Sequence, residues 1–240
     1  MSDLRTESPR TLVCFDFDLT LTEEHLFRVV TQMIQSGAPR DEACMKAISY
    51  LDQRGPRGGE RLWALLCQLL MRGHGLAVCS FTSYPELAMA LWQRGIKRLR
   101  AHGASREATA WLSRPIVIYG DPDPRLRPPL PVQGAYLVEV SFGLMASHGK
   151  QLHIERALKV ANERLLSSLD PEGVGALPSL LAPPSGALRE PFSRVILLDD
   201  DPRNVDHALK SGHEGIFVEA PGQGREEHLD KLAELLGLDA

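Results

Sequence analysis

The sequence predicts an α/β protein: a parallel sheet with helices on both faces. Three observations predict it. The best apolar runs are short and continuous rather than alternating, which marks strands buried on both sides. Helical patterns fall between those runs. The runs also end in polar residues, Asp16 and Asp18, Ser80, and Asp199 and Asp200. In open parallel sheets ligands bind beyond the carboxyl ends of the strands, so these positions are where a site belongs.

Thr11–Phe17 (TLVCFDF) reads as the first buried strand. Helical patterns follow at Glu24–Gln35, Asp41–Asp52 and Glu60–Arg72, the last two separated by the Gly- and Pro-rich break from Arg54 to Gly59. Leu76–Ser80 (LAVCS) is the second strand and Pro85–Arg94 its helix. Gly95–Arg100 and Pro115–Tyr119 are weaker strand candidates. Asp121–Pro131 reads as a loop, because its prolines exclude regular structure. Tyr136–Phe142 is a further strand candidate and Lys150–Leu166 a helix. Ser167–Pro191 is an irregular connection, rich in Pro and Gly. Arg194–Leu198 (RVILL) is a strand running into Asp199, Asn204–Ser211 a helix, Gly215–Val218 the last strand, and Arg225–Leu236 a helical tail. The domain expectation is a flexible segment at 1–10 and one unit over 11–240, with a small helical insert within about 24–72 and an irregular loop at about 167–192.

The 240 residues are 43% hydrophobic, enough for one sizeable core. A net charge of −4 gives no general attraction to nucleic acid or to a membrane. Cys14, Cys44, Cys67 and Cys79 form no CxxC pair and read as buried reduced thiols. The polar N-terminus does not look like a signal peptide, and no run is long enough to span a bilayer. A soluble, cytoplasmic protein is expected, although secretion without a signal leaves no trace in a sequence.

Asp16 and Asp18 lie two residues apart at a strand end, so an extended backbone turns both to one side. Two carboxylates that close raise one another's pKa unless a cation lies between them. A hard divalent ion with oxygen ligands relieves the cost. One carboxylate can then attack phosphorus. The other can serve as acid and base. The competing local explanation is helix capping. Thr20-Leu21-Thr22-Glu23 fits a capping box, which accounts for Thr20 and Glu23 but not for two acids closing an apolar strand.

The stretch DFDLT, Asp16–Thr20, resembles the first motif (DxDxT) of the haloacid dehalogenase (HAD) superfamily, in the form found in its phosphatases and phosphotransferases. Three further stretches are similar to the family's other motifs. Ser80 closes LAVCS, and CSFTSYPELA is similar to the same region of magnesium-dependent phosphatase-1-like members; Thr82 or Ser83 serves as the better helix cap, leaving Ser80 over. Lys150 stands near a helix start, where a cation is disfavoured, and Lys is scarce in this chain. Lys159 is the fallback, though helical pairing to Glu155 or Glu163 would explain it. In Asp199-Asp200-Asp201-Pro202, capping accounts for Asp201 and leaves Asp199 and Asp200.

The resemblance implies a Rossmann-like HAD core with a minimal or small cap. It implies Mg²⁺ as cofactor, Asp16 as nucleophile and Asp18 as acid/base. Thr20, Ser80, Phe81 and Lys150 would bind the phosphate. The metal residues would be Asp16, Asp18, Asp199 and Asp200, with Asp200 the likelier direct ligand and Asp199 accessory. The interval between Thr20 and Ser80 is too short for a large lid. An open site suits a phosphoprotein, including phosphotyrosine. A small-metabolite phosphatase, a non-catalytic phosphate-binding module and a metal-free dehalogenase that does not need Asp18 are the alternatives. No nucleic-acid or membrane partner is expected.

Overall fold

The computed structural model describes residues 9–120, 136–140, 149–167, 191–222 and 226–239. Its centre is a parallel six-stranded sheet. The strands are β1 (Thr11–Phe15), β2 (Gly75–Ser80), β3 (Ile116–Gly120), β4 (Tyr136–Val140), β5 (Arg194–Asp199) and β6 (Glu214–Phe217), in spatial order β4-β3-β2-β1-β5-β6. The helices are α1 (Leu26–Gln35), α2 (Arg40–Arg54), α3 (Gly59–Met71), α4 (Pro85–Ala101), α5 (Arg106–Ser113), α6 (Gln151–Ser167), α7 (Pro202–Lys210) and α8 (Glu227–Leu236).

The first four strands step outward from β1 in chain order. The chain then crosses back through α6 to place β5 on the other flank of β1. That reversal leaves a crevice between the carboxyl ends of β1 and β5, the switch point at which such sheets bind ligands. Phe15 is in register with Val78 on one side and Leu198 on the other. The next residues along those strands, Asp16, Cys79 and Asp199, therefore reach the same level.

β1 is buried over its whole length, and so are β2 and β3. This is why their sequences are unbroken apolar runs. Helices cover both faces. α6 packs along the sheet from β4 to β5 and touches α7, while α3, α4, α5 and α8 form the second group. Trp92 and Trp63 meet edge to face at 6.2 Å within that group, and Trp92 also meets Phe15 of β1. α1 packs on α2 and α2 on α4, and each sends one face into the core: Leu26 and Val30 from α1, and Ala43, Cys44, Ala47 and Leu51 from α2. No helix among the described residues is long and apolar enough to cross a membrane.

One expectation is overturned. Gly95–Arg100 is not a strand; it is the last part of α4, which runs on to Ala101. Gly95 lies inside the helix, where its missing side chain admits Trp63. A Cβ at Gly95 would lie 2.5 Å from Cζ3 of that ring. The loop expected at 121–131 and most of the connection expected at 167–191 lie outside the described residues.

Candidate active site

The end of β1 turns sharply. The Leu21 and Thr22 amides both donate to the Phe17 carbonyl, at 3.0 and 3.2 Å. The turn forces Leu19 to φ 59°, a left-handed conformation that costs a branched side chain about 1–2 kcal/mol. It is held from inside by the Leu19 amide, which donates to Thr22 Oγ1 at 3.3 Å. It is held from outside by Arg57, whose Nη1 donates to the Leu19 carbonyl at 2.7 Å. Arg57 is buried in the α2–α3 loop. Its main-chain amide also donates to the Leu21 carbonyl, and its Nε reaches Glu226 Oε2 at 3.3 Å.

This turn removes the capping reading of Thr20 and Glu23. α1 starts only at Leu26, with His25 before it and no side-chain cap. Thr20 Oγ1 is buried and has no hydrogen-bond partner among the described residues. A buried hydroxyl left unsatisfied costs about 1–3 kcal/mol, so it is a group awaiting an acceptor or donor. Asp201, by contrast, does cap: its side chain accepts from the Arg203 amide at the start of α7. Neither Thr82 nor Ser83 caps α4 as expected: the cap position is Tyr84, with no side-chain cap bond and Pro85 at the first turn. Thr82 Oγ1 instead accepts from the Tyr84 amide, while Ser80 is buried at the end of β2.

Lys150 joins the strands. Gly149, at φ 53°, turns the chain against α7, where a Cβ would lie 2.9 Å from His207 Nδ1. The lysine that follows is 1% exposed. Its Nζ lies 2.6 Å from Asp16 Oδ1 and 2.6 Å from Asp199 Oδ2. Phe81 covers it, with Nζ 5.3 Å from the ring centroid. Burial alone would lower the pKa of this amine, but the two carboxylates more than offset that and hold it protonated, above its ordinary value. Lys159, the fallback, is exposed on α6 and lies 3.8 Å from Glu163.

The carboxylates differ in their company. Asp199 is fully buried and accepts from Lys150, from Asn204 Nδ2 at 3.2 Å and from the Asp201 amide at 2.9 Å. Asp16 has Lys150. Asp200 is partly exposed and hydrogen-bonds towards Asp16. Burial raises the pKa of Asp16, Asp199 and Asp200 alike, with Lys150 pulling against it. Ligand atoms of these three lie within 4.8 Å of one another, a spacing that fits a metal ion.

Asp18 faces the other way, towards α1. The Phe27 amide donates to its Oδ1 at 3.2 Å, and His25 Nδ1 lies 3.4 Å from its Oδ2. His25 is raised above its ordinary pKa, chiefly through that contact.

Three of these groups carry no local sequence signal. Arg57 and His25 come from loops distant in the chain or outside any motif. His153, one turn after Lys150, is fully buried edge-on to Phe81 at 5.1 Å, and neither ring nitrogen has a hydrogen bond of ordinary geometry among the described residues. Burial, with Lys150 nearby, pushes its imidazole down to about 3.

No family model matches the sequence, and no curated protein does. Among solved structures the chain is similar to the HAD domain of effector protein Lem4 from Legionella pneumophila, solved as an inactive mutant. The identity is 13%, the match covers 94% of this chain and 93% of that one, and the TM-score is 0.40. At that level the likeness says nothing about chemistry, which is read from the residues themselves.

Proposed function

We propose that this chain is a magnesium-dependent phosphomonoester hydrolase of the haloacid dehalogenase type, with Asp16 as nucleophile and Asp18 as acid/base. The observation that carries the reading is a charge balance. Asp16, Asp199 and Asp200 gather three carboxylates around one lysine. With all three ionised they leave two negative charges beyond the lysine, and a divalent ion that prefers oxygen ligands matches both that charge and the donors. The Asp16 and Asp200 carboxylates and the Asp18 main-chain carbonyl would hold it, with Asp199 behind as the acid that fixes Lys150. When bound, such an ion supplies Lewis-acid stabilisation of charge on the phosphoryl oxygens.

The chain's own residues then divide the work. An Asp16 oxygen attacks phosphorus in line, and the bond to the leaving oxygen breaks. Protonated Asp18 gives its proton to that oxygen. Asp18, now a carboxylate, takes a proton from water, which attacks the aspartyl-phosphate, releases phosphate and restores Asp16. Lys150, the orphaned Thr20 hydroxyl, Ser80 and the main chain at Phe81 bind the phosphoryl oxygens. Phe81 and the sheet exclude water behind them.

We further assign a phosphorylated protein side chain, including phosphotyrosine, as the substrate class. Support comes from the short α1–α2 insert, which packs beside α4 and is too small to form a closed chamber. The stretch CSFTSYPELA supports kinship with magnesium-dependent phosphatase-1-like members. Buried free cysteines fit a reducing compartment such as the cytoplasm.

Hydrolysis of p-nitrophenyl phosphate tests the class. Turnover should require Mg²⁺, stop with a chelator and vanish in Asp16→Asn. Full activity in Asp16→Asn would remove Asp16 as the nucleophile. No hydrolysis at all would leave a phosphate-binding module. A panel of phosphopeptides against phosphorylated metabolites tests the substrate assignment, and faster turnover of the metabolites would overturn it.

A further inference from the structure

Beside Asp18 the surface of α1 is hollowed into a shallow cleft of about 360 Å³, lined by His25, Phe27, Arg28, Thr31, Gln32 and Gln35. His25 both lines this cleft and contacts the Asp18 carboxylate, so on the phosphatase reading the cleft adjoins the acid that would protonate the leaving group. Its floor is rigid. The Phe27 ring is stacked at a tilt on Tyr84, with centroids 5.6 Å apart, and Thr31 Oγ1 lies 3.2 Å from the Tyr84 hydroxyl.

The chemistry of the lining is one-sided. No carboxylate among the described residues lines it. Arg28 is exposed and has no ion-pair partner among the described residues, whereas Arg40, Arg57 and Arg61, from the elements that follow, are each paired with an acid. Arg28, Gln32 and Gln35 form one stripe of α1, because residues three and four apart share a helix face. At 1.5 Å per residue this stripe spans roughly 10 Å. An extended peptide covers that length in about three residues. Carboxamides offer both a donor and an acceptor, which suits a peptide backbone. A phosphorylated metabolite of three or four carbons is too short to use the whole stripe.

Resting on the phosphatase reading, we propose that the α1 cleft is a leaving-group subsite for a phosphorylated peptide segment, and that Arg28 selects an acidic side chain next to the phosphorylated residue. The attraction is a single exposed charge pair, so it acts as a preference of about tenfold or less, and salt weakens it.

The test is a matched set of phosphopeptides that differ only in flanking residues, acidic, neutral or basic. Each is assayed at low and high salt beside p-nitrophenyl phosphate. The wild-type protein should turn over the acidic-flanked peptide with several-fold higher kcat/KM than the basic-flanked one, most clearly at low salt. Arg28→Glu should reverse that ratio. Lys159→Glu, an equal charge change on the exposed face of α6, should leave the ratio as it is in the wild type. Equal ratios in wild type and Arg28→Glu, with p-nitrophenyl phosphate still hydrolysed, would overturn the subsite and spare the phosphatase reading. The same ratio shift in Lys159→Glu would make it a net-charge effect and overturn the subsite too. Failure to hydrolyse p-nitrophenyl phosphate would overturn both.

Discussion

The two acids of the first motif stand two residues apart yet face different halves of the site. Asp16 faces the sheet. It lies against a lysine that is 1% exposed, and beyond that lysine is a carboxylate already satisfied by Asn204 and a main-chain amide. Asp18 faces α1, where its partners are the Phe27 amide and a half-exposed histidine at the edge of an open cleft. The first half is closed and built from strand ends. The second is open and built from a short insert. The difference suggests a division of labour. Charge has to be compensated where water is excluded, so the phosphoryl half tolerates little change, while the leaving-group half can vary with the substrate.

The largest expected effect comes from breaking the closed half. Lys150→Met leaves Asp16 and Asp199 buried without their cation, and should cost about 3–5 kcal/mol in a urea titration at neutral pH, besides abolishing turnover. Adding Asp199→Asn should recover part of that loss. If the double variant is no more stable than the single one, the buried pair is not what Lys150 stabilises.

Next is the open half. Asp18→Asn should lower kcat by about 10²–10⁴, most severely for poor leaving groups, because proton donation matters least when the leaving oxygen is already stable as an anion. A uniform loss across leaving groups would contradict the acid role.

Arg57 supports both halves by holding the Leu19 turn, which begins directly after Asp18. Arg57→Gln should cost about 1.5–3 kcal/mol, the worth of a hydrogen bond to a charged group. It should also lower kcat more than it raises KM. Leu19→Gly in the same chain should return some stability, because glycine accepts φ 59° without strain. No rescue would show that the turn is not what Arg57 supports.

Smaller effects are expected from the buried histidines, and these depend on pH. His153 and His228 are held down at about 3 and about 4 by burial, and His74, whose Nδ1 accepts from the Thr11 amide, is lowered as well. Their unfolded value is 6.5, so the unfolded chain takes up protons first as pH falls. Stability should be full above about pH 7 and fall from there towards pH 3 to 4, by about 1.4 kcal/mol per unit of difference for each group. His228→Phe should flatten part of that fall. The smallest effect is expected at the exposed Lys46–Glu42 pair on α2, where Glu42→Gln should change stability by about 0.5 kcal/mol or less.

How much of this was legible in the sequence follows the same division. The strands of the closed half are apolar throughout because both faces are buried, so TLVCF, GLAVCS and RVILLD stand out, and the acids, Ser80 and Asp199 at their ends stand out with them. Lys150 was visible because a cation at a helix start has to be explained. The remainder depends on contacts between distant segments. Gly95–Arg100 read as a strand because the partner that fills the space at Gly95 is Trp63, thirty-two positions earlier. Thr20 and Glu23 matched a capping box whose helix begins too late to use it. Arg57 sits in a Gly- and Pro-rich break that reads only as a turn, and nothing local says that its guanidinium reaches Leu19 and Glu226.

The central claim is that Asp16 receives the phosphoryl group, and trapping the intermediate tests it most directly. Protein quenched in acid during Mg²⁺-supported turnover of p-nitrophenyl phosphate, then reduced with borohydride and mapped by peptide mass spectrometry, should carry homoserine at position 16. Asp16→Asn should carry none. Rapid turnover with no label at Asp16, or with the label on another residue, would contradict the account.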